Sequence, residues 1–79
     1  MITVYALKSQ RRNYIYVGMT NDLGRRVNEH NSGHEMTTRP YAPFELVYTE
    51  EFPDRVLARA REKYLKSGVG KEFLHSTTL

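Results

Sequence analysis

Tyr16, Arg26 and His30 carry side chains suited to chemistry, and their spacing decides whether they can meet. Tyr14 to Gly18 alternates aromatic with β-branched residues, the period-2 pattern of a strand. Thr20, Asn21 and Asp22 then offer side-chain oxygens to cap a helix, and a carboxylate such as Asp22 is favoured at its positive end. The helix is predicted from Asp22 to Asn31. On it Leu23 and Val27 form an apolar stripe, and Arg26 and His30, four residues apart, share its margin. A phenol at a strand end therefore faces a guanidinium and an imidazole on the next element, a set that suits a phosphate. Each residue also has a plain structural reading: a packed tyrosine, a solvated arginine, and a histidine stabilised as a cation at a helix end.

The remaining elements must hold these groups in place. Ile2 to Lys8 alternates as a first strand, with Thr3, Tyr5 and Leu7 on one face and Ile2, Val4 and Ala6 on the other. The short polar stretch Ser9 to Asn13 turns it back as an antiparallel hairpin into Tyr14 to Gly18, so Tyr5 and Tyr16 share a face if the hairpin register holds. Gly24 weakens the first helix by roughly 1 kcal/mol relative to alanine, which predicts a close approach to the backbone there. Ser32 and Gly33 end that helix, and residues 33–43, polar and holding two prolines, read as a loop.

Phe44 to Phe52 is a third strand, with Phe44, Leu46 and Tyr48 predicted on one face and Glu45, Val47 and Thr49 on the other. Pro53 and Asp54 open a second helix that reaches about Ser67, proline fitting a first helical turn. Its buried side is predicted to be Val56, Leu57, Ala60 and Tyr64, with Ala58 and Leu65 as further candidates for it. Val69 to Leu74 forms a short third helix, covering the sheet with Val69, Phe73 and Leu74, and residues 75–79 read as a frayed tail. The fold class is α+β, three antiparallel strands with helices packed on them.

The 79 residues make one domain, with a core over about 2–74, and a chain of this size buries only about 60% of its unfolded surface. There are no cysteines, which removes disulfides, thiolate zinc sites and a cysteine nucleophile. No apolar run is long enough to span a membrane and Met1 to Tyr5 starts as a strand, so a soluble cytoplasmic protein is the expectation. Twelve Lys and Arg against nine Asp and Glu give a formal charge of +3, compatible with a nucleic-acid partner. His30 and His34 have a spacing that suggests metal binding, but Gly33 breaks the helix between them and no acidic third ligand is evident. Gly68 to Lys71 follows a helix rather than a strand and lacks the spacing of a nucleotide-binding loop.

Thr3-Val-Tyr5 followed by Tyr16-Val-Gly18, then Asn21-Asp-Leu23 and Arg26, resembles the GIY-YIG nuclease domain, most closely its small bacterial stand-alone members. The similarity runs from about Ile2 to Leu74. The first motif departs from the family pattern, with Thr3 for glycine and Val4 for isoleucine, but Tyr5 is the position with chemistry. The resemblance implies a catalytic set of Tyr5, Tyr16, Arg26, His30 and Glu62. Either tyrosine would serve as general base or orient the water. Arg26 would clamp a phosphate oxygen, His30 would relay a proton or hold a tyrosine hydroxyl, and Glu62 would hold a single divalent ion, Mg2+ or Mn2+. The plain alternative for Glu62 is a surface pair with Lys66.

Arg25, Thr38, Arg39, Arg59, Lys63 and Lys66 are the candidate nucleic-acid contacts, Thr38 and Arg39 lying in a segment similar to a loop of the stand-alone members. The resemblance implies a metal-dependent endonuclease acting on DNA, with RNA left open. One compact site without a recognition helix, zinc finger or arm makes a nick, or a cut in single-stranded or structured DNA, the expectation, with aromatic residues as stacking surfaces and the protein a monomer or weak homodimer. Two alternatives remain: a non-catalytic nucleic-acid binding module, and a catalytic subunit active only within a larger DNA repair or processing assembly.

Overall fold

The structure, a computed structural model, describes residues 1–77. The elements follow as β1 (Ile2–Ser9), β2 (Ile15–Thr20), α1 (Leu23–Asn31), a single 3-10 turn (Arg39–Tyr41), β3 (Phe44–Phe52), α2 (Arg55–Lys66) and α3 (Gly68–Thr77). The strands form one antiparallel sheet in the order β2-β1-β3, so the first strand is central and β2 is an edge. This is the α+β architecture expected from the strand and helix periodicities.

Alternation along β1 divides the molecule. Ile2, Val4 and Ala6 point to the side covered by α2 and α3, where Ile15, Val17, Ala58, Leu65 and Leu74 complete an apolar core. Tyr5 and Leu7 point to the other side, where Phe44 and the partly buried Leu23 and Val27 of α1 pack with Tyr14, Tyr16 and Tyr41. The hairpin is tied to the 3-10 turn by Ser9, whose hydroxyl donates to the Tyr41 carbonyl at 2.6 Å and accepts from the Arg11 and Arg12 amides at 3.1 Å.

Local signals set the helix ends. The Asp22 carboxylate accepts from the Arg25 amide and caps α1, while Gly33, at φ +80°, takes the left-handed conformation beyond the last turn. Asp54 caps α2 by accepting from the Leu57 amide at 3.0 Å. Pro53 precedes this cap instead of occupying the first helical turn. Nothing in the chain lies within 4 Å of the place a Cβ would take at Gly24, so the close approach expected there is absent. The tight glycine is Gly70, whose Cβ would sit 2.0 Å from the Tyr64 carbonyl oxygen, letting α3 cross α2 backbone to backbone.

Three other expectations are corrected. A β-bulge shifts the β1–β3 register between Ala6 and Leu7, pairing Ala6 with Tyr48 and Leu7 with Leu46, so Val47 is the extra residue. The bulge sends Tyr48 and Phe52 to the α2 and α3 side and leaves Phe44 on the other, breaking the simple alternation.

On α2, Ala58 and Leu65 are the buried residues, and Val56 is 79% exposed, with Leu57, Ala60 and Tyr64 exposed too. The inward stripe is narrow because Arg61 completes it. Its guanidinium lies over the rings of Tyr48, Tyr64 and Phe73 and donates to Glu50 at 3.1 Å. Finally, α3 runs through Thr77, so residues 75–77 of the expected tail are helical, while residues 78–79 lie outside the described residues. Leu74 is fully buried and Phe73 packs against the core, but Val69 is exposed.

Candidate active site

The β1–β2 register pairs Tyr5 with Gly18 and Leu7 with Tyr16, which puts both phenols on the α1 face, diagonal to one another. Their ring centroids are 6.2 Å apart. A Cβ at Gly18 would meet the Tyr5 hydroxyl at 2.8 Å and Tyr16 Cε2 at 2.9 Å. Glycine is needed here for space, since the two phenols close over the backbone of β2.

His30, on the last turn of α1, is fully buried beneath them. Its Nε2 is 3.0 Å from the Tyr5 hydroxyl and its Nδ1 is 2.8 Å from Thr38 Oγ1. Thr38 Oγ1 also donates to the Glu35 carbonyl at 3.5 Å, so it accepts from His30 Nδ1–H, and Nε2 is left to accept from Tyr5 O–H. Burial, reinforced by the positive charge of Arg26, pushes the His30 pKa below its usual 6.5, while Glu35 and Glu29 oppose the shift. The imidazole is therefore neutral at pH 7, as its acceptor role requires.

Burial also pushes Tyr5 up to about 12, with Tyr16 adding to the shift and Arg26 working against it. Tyr5 thus keeps its proton and acts as a donor. Tyr16 is less buried, and its ring lies 4.6 Å from that of His30.

Arg26 lies beside both phenols with its side chain 24% exposed. Burial works against its charge, but Glu29 and then Tyr5 and Tyr16 outweigh that, raising its pKa above the usual arginine range. Arg26 Nη1 donates to Glu29 at 2.8 Å and to Glu35 at 3.5 Å. The other Glu29 oxygen accepts from Arg25 Nη1 at 3.2 Å. Arg26 holds the Glu29 carboxyl below the ordinary glutamate pKa even though desolvation opposes it, with Arg25 assisting. The result is a guanidinium anchored through Nη1 and set against the Tyr5 hydroxyl, with N–H donors to spare for an anion.

Tyr5, Tyr16, Arg26 and His30 are therefore brought together, whereas Glu62, on α2, makes its ion pair with Lys66, at 3.4 Å. Lys66 in turn lines an open cleft of about 310 Å³ with Tyr16, beside the free edge of β2. Thr38, expected to meet nucleic acid, is fully buried and serves His30 instead. Arg39 is exposed but donates through Nε to the Gly33 carbonyl at 2.8 Å, and Arg25 is shared between Asp22 and Glu29. Arg59 and Lys63 are exposed on α2, without ion pairs among the described residues. His34 bonds to Ser32 Oγ, and no group of three metal-binding side chains exists among the described residues.

Sequence reasoning missed Glu29 and Glu35 as the anchors of Arg26, and the hydrogen bond between Thr38 and His30. Glu29 was readable as an i,i+3 partner on one helix face. Glu35 and Thr38 reach the site only through the fold of the 33–43 loop.

This arrangement belongs to a known class. The chain is a member of the GIY-YIG family: residues 1–73 match the GIY-YIG catalytic domain. It is similar to a group of small UPF0213 proteins, being 41% identical to protein CPE1444 of Clostridium perfringens over 80% of this chain and 68% of that protein. It is 44% identical to HQ_3675A of Haloquadratum walsbyi over 67% of this chain and 61% of that one, and 36% identical to YazA of Bacillus subtilis over 78% and 63%. The matched stretches thus span about two thirds of these relatives' lengths. A solution NMR structure of UPF0213 protein BH0048 from Bacillus halodurans superposes with a TM-score of 0.57 at 38% identity, covering 96% of this chain and 84% of that one.

Proposed function

We propose that the chain is an endonuclease that hydrolyses DNA phosphodiester bonds at the cluster of Tyr5, Tyr16, Arg26 and His30. The observation that carries this reading is the buried chain of hydrogen bonds from Tyr5 through His30 to Thr38, built beneath one accessible phenol and one anchored guanidinium. Membership of a nuclease family supports it.

Hydrolysis adds water to phosphorus, breaks one P–O ester bond and passes a proton to the leaving oxygen. Tyr16, the accessible phenol, acts in its phenolate form: it orients the water, takes its proton as the water oxygen bonds to phosphorus, and passes that proton to the leaving oxygen. Tyr5 is a positioning residue: protonated and held by neutral His30, it fixes the site's geometry without acting as the base. Arg26 offers its remaining donors to the charge that builds on the phosphoryl oxygens.

Glu62 is the residue that would hold a divalent ion. Its side chain is only 17% exposed and has one cationic partner, Lys66, among the described residues, and a hard ion such as Mg2+ needs just one or two carboxylates beside water and substrate oxygens. When bound, the ion would supply positive charge to a phosphate. Arg59, Lys63 and Lys66 on α2 are proposed to meet the DNA backbone.

The test is cleavage of labelled single-stranded, duplex and branched DNA with Mg2+ or Mn2+, beside Arg26→Ala and Glu62→Gln. Cleavage by the wild type that is lost in both folded variants supports the proposal. No cleavage, or equal cleavage by the variants, overturns it.

A further inference from the structure

The aromatic row on the α1 face does not stop at Tyr16. Tyr14, two residues earlier on the same face, stacks on Tyr41 with ring centroids 3.9 Å apart and planes 14° from parallel. The guanidinium of the exposed Arg12 stands over the Tyr41 ring at 5.9 Å from its centroid. In the other direction, Tyr14 and Tyr16 line the cleft beside the β2 edge together with Ile15, Val17, Lys66 and Lys71.

Packing alone accounts for the Tyr14 and Tyr41 pair, which joins the small core around Phe44. It does not account for the cations. Arg12 and Lys71 are both exposed, and neither has an ion-pair partner among the described residues. An aromatic strip with unneutralised cations at its end and along its side matches a polyanion that carries planar groups, which is single-stranded nucleic acid.

We propose that this strip is a binding track for single-stranded DNA leading to Tyr16. Phosphates lie in the cleft between Lys66 and Lys71, and an unpaired base stacks on Tyr41 beneath the Arg12 guanidinium. A duplex cannot use the track, because its base faces are already covered by their neighbours. The proposal deepens the nuclease reading by naming the strand state of the substrate, and it rests on that reading only for where the cut falls.

Binding in EDTA separates the two. Fluorescence anisotropy is read with a short labelled single strand, the same strand in a duplex, and the strand carrying abasic positions, for the wild type, Tyr41→Ala, Tyr41→Phe and Lys71→Ala. The wild type is expected to prefer the intact single strand to both other probes. Tyr41→Ala weakens single-strand binding by about five- to a hundredfold, Tyr41→Phe retains it, and Tyr41→Ala no longer distinguishes the abasic strand.

Lys71→Ala, a surface change that tests the track even if Tyr41→Ala fails to fold, weakens binding and lowers the salt slope by about 0.7. Equal affinity for duplex and single strand, or Lys71→Ala and folded Tyr41→Ala binding like the wild type, overturns the track. Track-dependent binding without metal-dependent cleavage instead overturns the nuclease reading alone.

Discussion

The two faces of the sheet share β1 yet obey different rules. On the α2 and α3 side, Val4 and Ala6 meet Ile15, Val17, Leu65 and Leu74, a core of apolar side chains. On the α1 side the same strand supplies Tyr5 to a buried group that includes His30 and Thr38, each hydrogen-bonded to the next. Apolar burial is non-directional and tolerates adjustment, whereas a buried polar group needs its partner at the right place. Among the described residues no buried side-chain nitrogen or oxygen lacks a partner, so the polar face meets that demand. The difference assigns stability chiefly to one face and proton placement to the other.

That division can be broken most directly at Leu65, which is fully buried against the sheet. Leu65→Ala is expected to destabilise the fold by about 2–5 kcal/mol in chemical denaturation while leaving DNA cleavage per folded molecule unchanged. Arg26→Ala is the converse. It should lower cleavage by about 100- to 1000-fold, as loss of a charge-stabilising donor does elsewhere, with a smaller effect on the melting temperature. If the two variants shift both readouts alike, the faces are not separable.

Thr38→Val sharpens the comparison, since it keeps the shape but removes the oxygen facing His30 Nδ1. An unsatisfied buried donor costs about 1–3 kcal/mol, and the imidazole should show a changed tautomer by nitrogen NMR. An unchanged tautomer would mean that Thr38 does not set the proton's place.

The smallest effect is the pH dependence of stability. Because the folded His30 pKa lies below 6.5, its contribution is fully present above about pH 6.5 and is lost as pH falls from there through the folded value. Tyr5 behaves oppositely: its contribution is present below pH 10 and is lost as pH rises from 10 through about 12. Thermal melts should therefore show an acid limb that His30→Asn flattens and an alkaline limb that Tyr5→Phe flattens.

The hairpin, the bounds of β3, the Asp22 cap and the i,i+4 placement of Arg26 and His30 were all legible in the sequence, because each depends on neighbours a few residues away. The shared face of Tyr5 and Tyr16 was legible only on condition that the hairpin register held, and the pairing of Tyr5 with Gly18 meets that condition. Contacts between distant segments decided the rest. The bulge at Val47 moved Tyr48 to the helix side, and Arg61 lies over three aromatic rings although an arginine on a helix reads as ordinary surface.

The same holds at the site. Thr38 reads as a polar loop residue until the loop folds back under α1 and buries it against His30, and Glu35 reaches Arg26 by the same path. Gly18 and Gly70 look alike in the sequence, but one makes room for two phenols and the other for a helix crossing. Periodicity and capping are local properties of a chain, while close approach and the burial of a polar partner exist only once separate elements are packed together.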